Sequence, residues 1–184
     1  KYPYPIDTNL AAAGRKIFEK TCYKCHGTYG DSVSYPNLLV SLEKVGTDPL
    51  LSTTYQKFPE YHNWYNSSWY GQGPYRGILQ PNDGYVAPPL DGVWATAPYF
   101  HNASVPTLDD VLNSPQRPVY WKRKFDNADY DPQKGGWRYK VESAKTDNET
   151  YDTTLPGYGN GGHRFGDRLT AEERRAVIEY LKTL

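Results

Sequence analysis

The sequence contains no methionine and only two cysteines among its 184 residues. The absence of methionine removes the thioether sulfur from the side chains that could bind a metal. Acidic and basic residues balance at 21 each, so the chain lacks the charge excess with which proteins bind nucleic acid or anionic membranes. No apolar run approaches the ~20 residues that a membrane-spanning helix needs. We therefore expect no nucleic-acid partner and no membrane span.

Aromatic residues, proline and glycine are abundant instead. The chain contains 18 Tyr, 5 Trp, 15 Pro and 16 Gly, whereas aliphatic residues are sparse. This composition suits a loop-rich fold in which a large apolar prosthetic group supplies part of the core. A chain of this length can bury a core in one domain, and no repeat or linker divides it. We expect residues 1–184 to form a single domain, which could also be part of a longer protein.

The two cysteines lie in the segment TCYKCH, with His26 directly after the second of them. Cys22 and Cys25 could form a redox pair, but the βαβ pattern that surrounds thioredoxin-like pairs is missing. They could bind zinc, but no second pair of Cys or His at matching spacing supplies the other ligands. The spacing C-x-x-C-H is that of covalent haem attachment. The motif therefore predicts one haem c, bound through Cys22 and Cys25, with His26 as an iron ligand.

The motif follows a predicted helix, and a second helix is predicted at the other end of the chain. The first helix runs from about residue 8 into the motif. The second begins with a capping box, Thr170 and Glu173, and continues to the last residue. A glycine on one helix lets an aromatic side chain of another approach closely. We therefore expect the terminal helices to cross where Gly14 meets Tyr180.

This order of helix, C-x-x-C-H, long middle and closing helix resembles the c-type cytochromes. Residues 36–49, 89–108 and 155–169 resemble segments of the C-terminal haem domain of rubber-oxygenase-like dihaem cytochromes, which are related to bacterial dihaem cytochrome c peroxidases. The three segments stand in the same order as in that family, although this chain has one haem motif where those proteins have two. The resemblance implies a mainly α-helical fold: a cytochrome c-like helical core around one covalent haem, with long loops and a small β-hairpin.

The hairpin is predicted from two alternating segments, residues 119–125 and 137–143, which enclose a stretch rich in Asp, Gly and Pro. Four residues of the stretch between the two segments are candidate calcium ligands through their oxygen atoms: Asp126, Asn127, Asp129 and Asp131. This run lacks the Gly and the closing Glu of an EF-hand loop. We therefore expect a solvated turn here rather than a calcium site.

The ligand on the second face of the iron has to be found among other residues, because methionine is absent. Imidazole is the usual alternative, so His163, His101 and His62 are candidates, while Lys, Tyr or an open face stay open. His163 lies in GNGGHRFG just before the closing helix, where small c-type cytochromes take their sixth ligand. Its glycine neighbours let the backbone approach a flat ring closely. We predict His163 as the second axial ligand.

Three further residues are not predicted as the second iron ligand: His101, Arg164 and His62. His101 lies in APYFHNAS, which resembles a stretch of the dihaem peroxidases whose histidine supports the haem site, and we expect it to contact a propionate or orient the loop. Arg164 follows His163 and is expected to pair with a propionate or to form part of a docking rim. His62 is expected on a wet surface, within an aromatic loop over residues 55–77.

That loop has two interpretations. It contains seven large aromatic side chains: Tyr55, Tyr61, Trp64, Tyr65, Trp69, Tyr70 and Tyr75. We favour the interpretation that several of them wall the haem pocket and exclude water. The alternative is a platform that stacks on sugar rings or on a partner protein.

An iron with His26 and His163 on its two faces has no vacant site, which favours electron transfer over peroxide or dioxygen chemistry. We therefore predict a monohaem c-type cytochrome that transfers single electrons to a haem or copper protein. We expect it in the bacterial periplasm or secreted, where thioether attachment takes place. Two alternatives stay open: a peroxidase or dioxygenase with an open axial site, and a redox module that supplies electrons to a polysaccharide-oxidising copper enzyme.

Overall fold

A computed structural model describes residues 1–124 and 129–184. The α-helices of this part of the chain are α1 (Thr8–Thr21), α2 (Tyr23–His26), α3 (Leu42–Val45), α4 (Leu50–Lys57), α5 (Pro59–Ser67), α6 (Trp69–Gln72), α7 (Leu108–Val111) and α8 (Ala171–Leu181). Short 3₁₀-helices cover Val93–Ala95, Ser114–Gln116 and Arg164–Gly166. No helix of the described residues has the length and apolarity to cross a membrane.

The strands form three small antiparallel sheets. They are β1 (Leu39–Ser41), β2 (Gly84–Val86), β3 (Tyr120–Arg123), β4 (Tyr130–Asp131), β5 (Gly136–Trp137), β6 (Tyr139–Glu142) and β7 (Tyr151–Asp152). β1 pairs with β2, β3 lies between β6 and β7, and β4 pairs with β5.

The predicted mainly α-helical fold around one haem core is wrong. Helices account for 37% of the structure and strands for 14%, which makes it a mixed α/β fold with several small sheets. The strands arise because extended segments from the predicted loops pair with distant partners. Val40 lies opposite Tyr85, and Trp121 lies opposite Tyr151. Such pairing depends on the whole chain and leaves no local periodic pattern.

The two segments predicted as a hairpin do pair, since β3 and β6 are antiparallel with Tyr120 opposite Glu142. A third strand, β7, extends this sheet, and β4 and β5 form a separate pair in the intervening segment. Asp126 and Asn127, two of the four candidate calcium ligands, lie outside the described residues. The expectation of a solvated turn therefore stays a prediction.

The terminal helices α1 and α8 cross as expected, although the contact at the glycine is a different one. A Cβ atom on Gly14 would lie 1.8 Å from the carbonyl oxygen of Ala176, so the backbones touch at this point. Tyr180 packs instead against Phe18, with ring centroids 5.3 Å apart. The capping box of α8 is confirmed: the Thr170 hydroxyl accepts from the Glu173 N–H, and the Glu173 carboxylate accepts from the Thr170 N–H.

The core lies under this crossing. It contains ten buried apolar or aromatic side chains from both ends and the middle of the chain: Phe18, Tyr29, Tyr99, Val105, Leu108, Leu112, Val177, Ile178, Tyr180 and Leu181. Cys22 packs against the same cluster. The C-x-x-C-H motif is therefore attached directly to the core.

Candidate haem site

The C-x-x-C-H motif forms the end of α1 and the short helix α2. The N–H of Cys22 donates to the carbonyl of Phe18, which closes the last turn of α1. The N–H groups of Cys25 and His26 then donate to the carbonyl of Cys22 at 3.2 Å and 3.1 Å. Both cysteines are free thiols, and burial raises the pKa of the Cys22 thiol. One tight turn of backbone thus carries both sulfur atoms and the imidazole.

The His26 imidazole is oriented by a backbone carbonyl. Its Nδ1 lies 2.9 Å from the carbonyl oxygen of Pro88, to which it donates when the proton is on Nδ1. That hydrogen bond leaves the lone pair on Nε2, which is the arrangement found in metal-binding histidines. Burial lowers the pKa of His26, so the ring is neutral at neutral pH.

His163 is held by its own backbone next to this imidazole. It adopts a left-handed conformation with φ 45°, directly before the 3₁₀-helix, and its N–H donates to the carbonyl of Val45 at 2.6 Å. Burial lowers the pKa of His163 to about 4, with smaller contributions from nearby His26 and Arg117. The Nδ1 atom is buried and has no hydrogen-bond partner among the described residues. A neutral imidazole with a buried, unpaired nitrogen is suited to metal binding.

The separation of the two imidazoles fits a single iron between them. Their ring centroids are 6.3 Å apart, with 58° between the planes. A histidine nitrogen lies about 2 Å from its metal and about 1.1 Å from its ring centre, so two imidazoles that bind one metal ion from opposite sides would have centroids about 6.2 Å apart, close to the observed separation. Together with the two free thiols of C-x-x-C-H, this donor set fits haem c.

The glycine-rich loop that carries His163, residues 157–163, is anchored from two sides. The Asp48 carboxylate accepts from the N–H groups of Gly157 and Gly159 at 3.1 Å and 3.2 Å. The Asn102 side chain donates to the carbonyls of the same two residues at 3.1 Å and 2.9 Å. These bonds join the three segments 36–49, 89–108 and 155–169 at one place. Asp48 and Asn102 were not predicted as site residues, although both lie in those segments.

Arg117 is a third residue that holds this loop, and its role was not predicted from the sequence. Its guanidinium donates to the carbonyls of Asn160, Gly162 and His163, at 2.7, 2.7 and 3.3 Å. Burial lowers the pKa of Arg117 to about 10, which still leaves it charged at neutral pH. No local signal marks this residue, because these acceptors are 43 to 46 positions away.

The remaining predicted site residues lie apart from this pair of rings or on the surface. His101 is exposed and stacks on Tyr85, with centroids 4.1 Å apart. His163, in contrast, has ring contacts with His26, Phe100 and Phe165. Arg164 is exposed in the 3₁₀-helix. Contact of His101 or Arg164 with a propionate stays a prediction.

The expectation that His62 lies on a wet surface, within a long loop, is wrong. The segment forms α4, α5 and α6, and His62 on α5 is only 6% exposed. It stacks on Tyr55, with centroids 5.8 Å apart, and its Nε2 has no hydrogen-bond partner among the described residues. The segment lacks a regular apolar period because His62 is the one buried residue of α5. Periodicity therefore could not predict this helix.

Three aromatic side chains of the same segment point into solvent. Trp64 is 61% exposed, Trp69 is 73% exposed and Tyr75 is 99% exposed. Trp64 stacks on Tyr61, and Trp69 stacks on Tyr70 with centroids 3.6 Å apart. Both interpretations of these rings, a wall of the haem pocket and a surface platform, stay predictions.

Residues 84–122 match the protein-family model described as RoxA-like, cytochrome c-like. The match confirms the predicted resemblance to this type of c-type cytochrome domain, and it includes the segment 89–108. It covers neither the C-x-x-C-H motif nor His163. The assignment of those residues therefore depends on their geometry.

Two proteins of Sinorhizobium fredii (strain NBRC 101917 / NGR234) are similar over almost the whole chain. The uncharacterized protein y4iJ is 31% identical in an alignment of 240 residues. This alignment covers 97% of this chain and 39% of that protein. The uncharacterized protein y4iM is 27% identical over 225 residues, which cover 99% of this chain and 50% of that protein. The chain thus spans half or less of the length of these curated relatives.

Proposed function

We propose that this chain is a monohaem c-type cytochrome that carries single electrons, with haem c attached through Cys22 and Cys25 and with His26 and His163 as the two axial ligands. The observation that carries the proposal is the 6.3 Å separation of the two imidazole centroids. The resemblance of residues 84–122 to a cytochrome c-like family supports haem as the group that the site holds.

When bound, the haem supplies a one-electron Fe(III)/Fe(II) couple. His26 and His163 would hold the iron together, which would leave no vacant site for peroxide or dioxygen. The Pro88 carbonyl holds His26 in the tautomer that binds through Nε2. The bonds from Asp48 and Asn102 hold the beginning of the His163 loop at Gly157 and Gly159.

The location and the partner follow from the same chemistry. Thioether attachment of haem takes place outside the bacterial cytoplasm, so we place the protein in the periplasm or among secreted proteins. A single-electron carrier requires a partner that accepts one electron at a time, such as a second haem protein or a copper protein.

The test is the low-temperature electron paramagnetic resonance spectrum of the ferric protein, for the parent, His163→Ala and His101→Ala. We expect a low-spin signal of two imidazole ligands in the parent and in His101→Ala, and its loss in His163→Ala. Loss in His101→Ala alone would transfer the ligand role to the exposed ring on Tyr85. A high-spin parent would indicate an open face and favour the peroxidase or dioxygenase alternative.

A second candidate function is favoured by the exposed rings of α5 and α6. Stacked, solvent-exposed tryptophan and tyrosine side chains are suited to contacts with the apolar faces of sugar rings. The protein would then be a redox module that binds polysaccharide and supplies electrons to a polysaccharide-oxidising copper enzyme. Retention on insoluble polysaccharide that is lost in Trp64→Ala and Trp69→Ala, but kept in Trp137→Ala, would support this function; no retention of the parent would contradict it.

A further inference from the structure

Arg117 uses its whole guanidinium group on backbone carbonyls. Besides the three carbonyls of the His163 loop, Nε donates to the carbonyl of Asp110 at 2.8 Å and Nη2 donates to that of Val111 at 2.9 Å. A guanidinium has five N–H donors, so these five bonds use all of them. The planar guanidinium, which presents these N–H groups as a rigid fork, therefore has one arrangement in which every donor is paired.

These bonds connect the loop to a rigid part of the molecule. Asp110 and Val111 lie in the single turn of α7, and the carbonyl of Asp110 also accepts from the N–H of Asn113 at 3.4 Å. α7 itself is fixed in the core, since Leu108 is buried there and the Thr107 hydroxyl caps the N–H of Asp110. Arg117 thus fastens the backbone of Gly162 and His163 to the end of a core helix.

The carboxylates near Arg117 are occupied by other donors. Both oxygens of the Asp110 carboxylate accept from hydroxyl groups, those of Thr107 and Tyr139. Both oxygens of Asp167 accept from Ser114. The guanidinium therefore contacts neutral carbonyls and the ring of Phe100, whose centroid is 4.9 Å from the guanidinium carbon, while the nearby carboxylates of Asp167 and Asp110 act on it only through their charge.

The same ring links the charge to the imidazole. The centroid of Phe100 lies 5.9 Å from that of His163. Arg117 therefore interacts with His163 in two ways. Its guanidinium donates to the backbone carbonyl of His163, and it packs on the ring of Phe100, which also contacts the imidazole. A lysine could supply the charge at this place, but its point-like ammonium cannot reproduce the planar fork.

We infer that Arg117 is a positioning residue that keeps the His163 imidazole on the iron. The inference rests on the proposed ligation by His26 and His163. Without the fork, the carbonyls of Gly162 and His163 lose their link to α7, and the loop can carry the imidazole away from the metal. Asp48 and Asn102 would still hold the beginning of the loop at Gly157 and Gly159.

The experiment measures how readily an external ligand replaces His163 in the ferric holoprotein. The probe is cyanide, and the variants are Arg117→Lys, Arg117→Gln and the control Arg138→Gln, which removes an exposed arginine 4.0 Å from Asp131. Loss of several hydrogen bonds from a charged donor should tighten the apparent cyanide affinity about tenfold or more in both Arg117 variants. The control should bind cyanide as the parent does.

A double substitution separates positioning from a general loss of structure. If Arg117 acts through His163, Arg117→Gln adds nothing to the cyanide affinity of His163→Ala. A merely structural role would change the affinity in both backgrounds. If Arg117→Gln does not fold, Arg117→Lys provides the same comparison, because the lysine stem keeps most of the packing.

The outcomes distinguish this inference from the function on which it rests. A low-spin parent whose Arg117 variants bind cyanide with the parent's affinity, within about twofold, would overturn the positioning role alone. A parent that already has an open iron face would overturn both.

Discussion

At the scale of single residues, His163 occupies a backbone conformation that the chain does not adopt without support. Its φ of 45° lies in the left-handed region, as does the φ of 75° at the preceding Gly162. A non-glycine residue there costs about 1–2 kcal/mol. The bonds from its N–H to Val45 and from Arg117 to its carbonyl offset this cost. Strained residues held by their surroundings are concentrated at functional sites, which agrees with a ligand role for this histidine.

The pKa of His163 predicts how ligation depends on pH. Burial lowers this pKa from 6.5 to about 4, so between these values the unfolded chain binds the proton and the folded chain does not. The stabilising contribution of neutral His163 is therefore fully present above about pH 6.5 and is lost as the pH falls through about 4. Because iron and the proton compete for the same nitrogen, we expect the low-spin signal of the ferric protein to be constant from pH 8 down to about pH 4, and any decline to lie below that value. A decline centred near pH 6.5 would contradict a buried His163 ligand.

Single residues were predictable where the signal is local. Cys22, Cys25 and His26 form a motif of five positions, and their arrangement on one turn follows from that spacing alone. Arg117 has no such signal, because its role comes from carbonyls that the fold brings to it. His62 was misjudged for the same reason: its burial depends on α5, whose sequence has no regular apolar period.

At the scale of elements, the crossing of α1 and α8 depends on the missing side chain of Gly14. The carbonyl oxygen of Ala176 occupies the place where a Cβ would be, at 1.8 Å. Alanine is the better helix former by about 1 kcal/mol, but a contact this short forces the two helix backbones apart. The close approach should therefore outweigh the helix propensity.

We predict that Gly14→Ala lowers the free energy of unfolding of the holoprotein by about 1–3 kcal/mol, as overpacking of a core typically does. Chemical denaturation followed by circular dichroism measures it. The matched control is Ala13→Gly on the exposed side of α1, which should cost only about 0.5–1 kcal/mol through helix propensity. A stabilised Gly14→Ala would mean that the helices do not touch at this residue.

The elements differ in how well the sequence predicts them. The beginning of α8 was predictable because the capping box of Thr170 and Glu173 is a local signal. The pairing of β3 with β6 was predictable from alternation within two neighbouring segments. β1 and β2 were not, since they are separated by more than forty residues and Val40 meets Tyr85 only in the folded chain. The fold class was misjudged largely through such distant pairs.

At the scale of the whole molecule, the two proposed ligands come from opposite ends of the chain. His26 follows α1, His163 precedes α8, and the contact of these two helices brings the ends together. The middle of the chain then holds both: Pro88 orients His26, and Asp48, Asn102 and Arg117 hold the loop of His163. An iron bound by both imidazoles would therefore link the two ends, so that metal ligation and folding stabilise each other.

The reduction potential is the property of the whole protein that this arrangement sets. Axial ligands move haem potentials over as much as ~0.8 V, and a methionine ligand favours Fe(II) relative to imidazole. We expect His163→Met to raise the midpoint potential in a spectroelectrochemical titration, because it places a thioether in the loop held by Arg117. His101→Met is the control, since its ring lies on Tyr85, and its potential should match that of the parent. An unchanged potential in His163→Met, together with a raised potential in His101→Met, would assign the second iron ligand to the loop after Pro98; the iron would still have two protein ligands, so the ligand assignment would change while the electron-carrier function would stand.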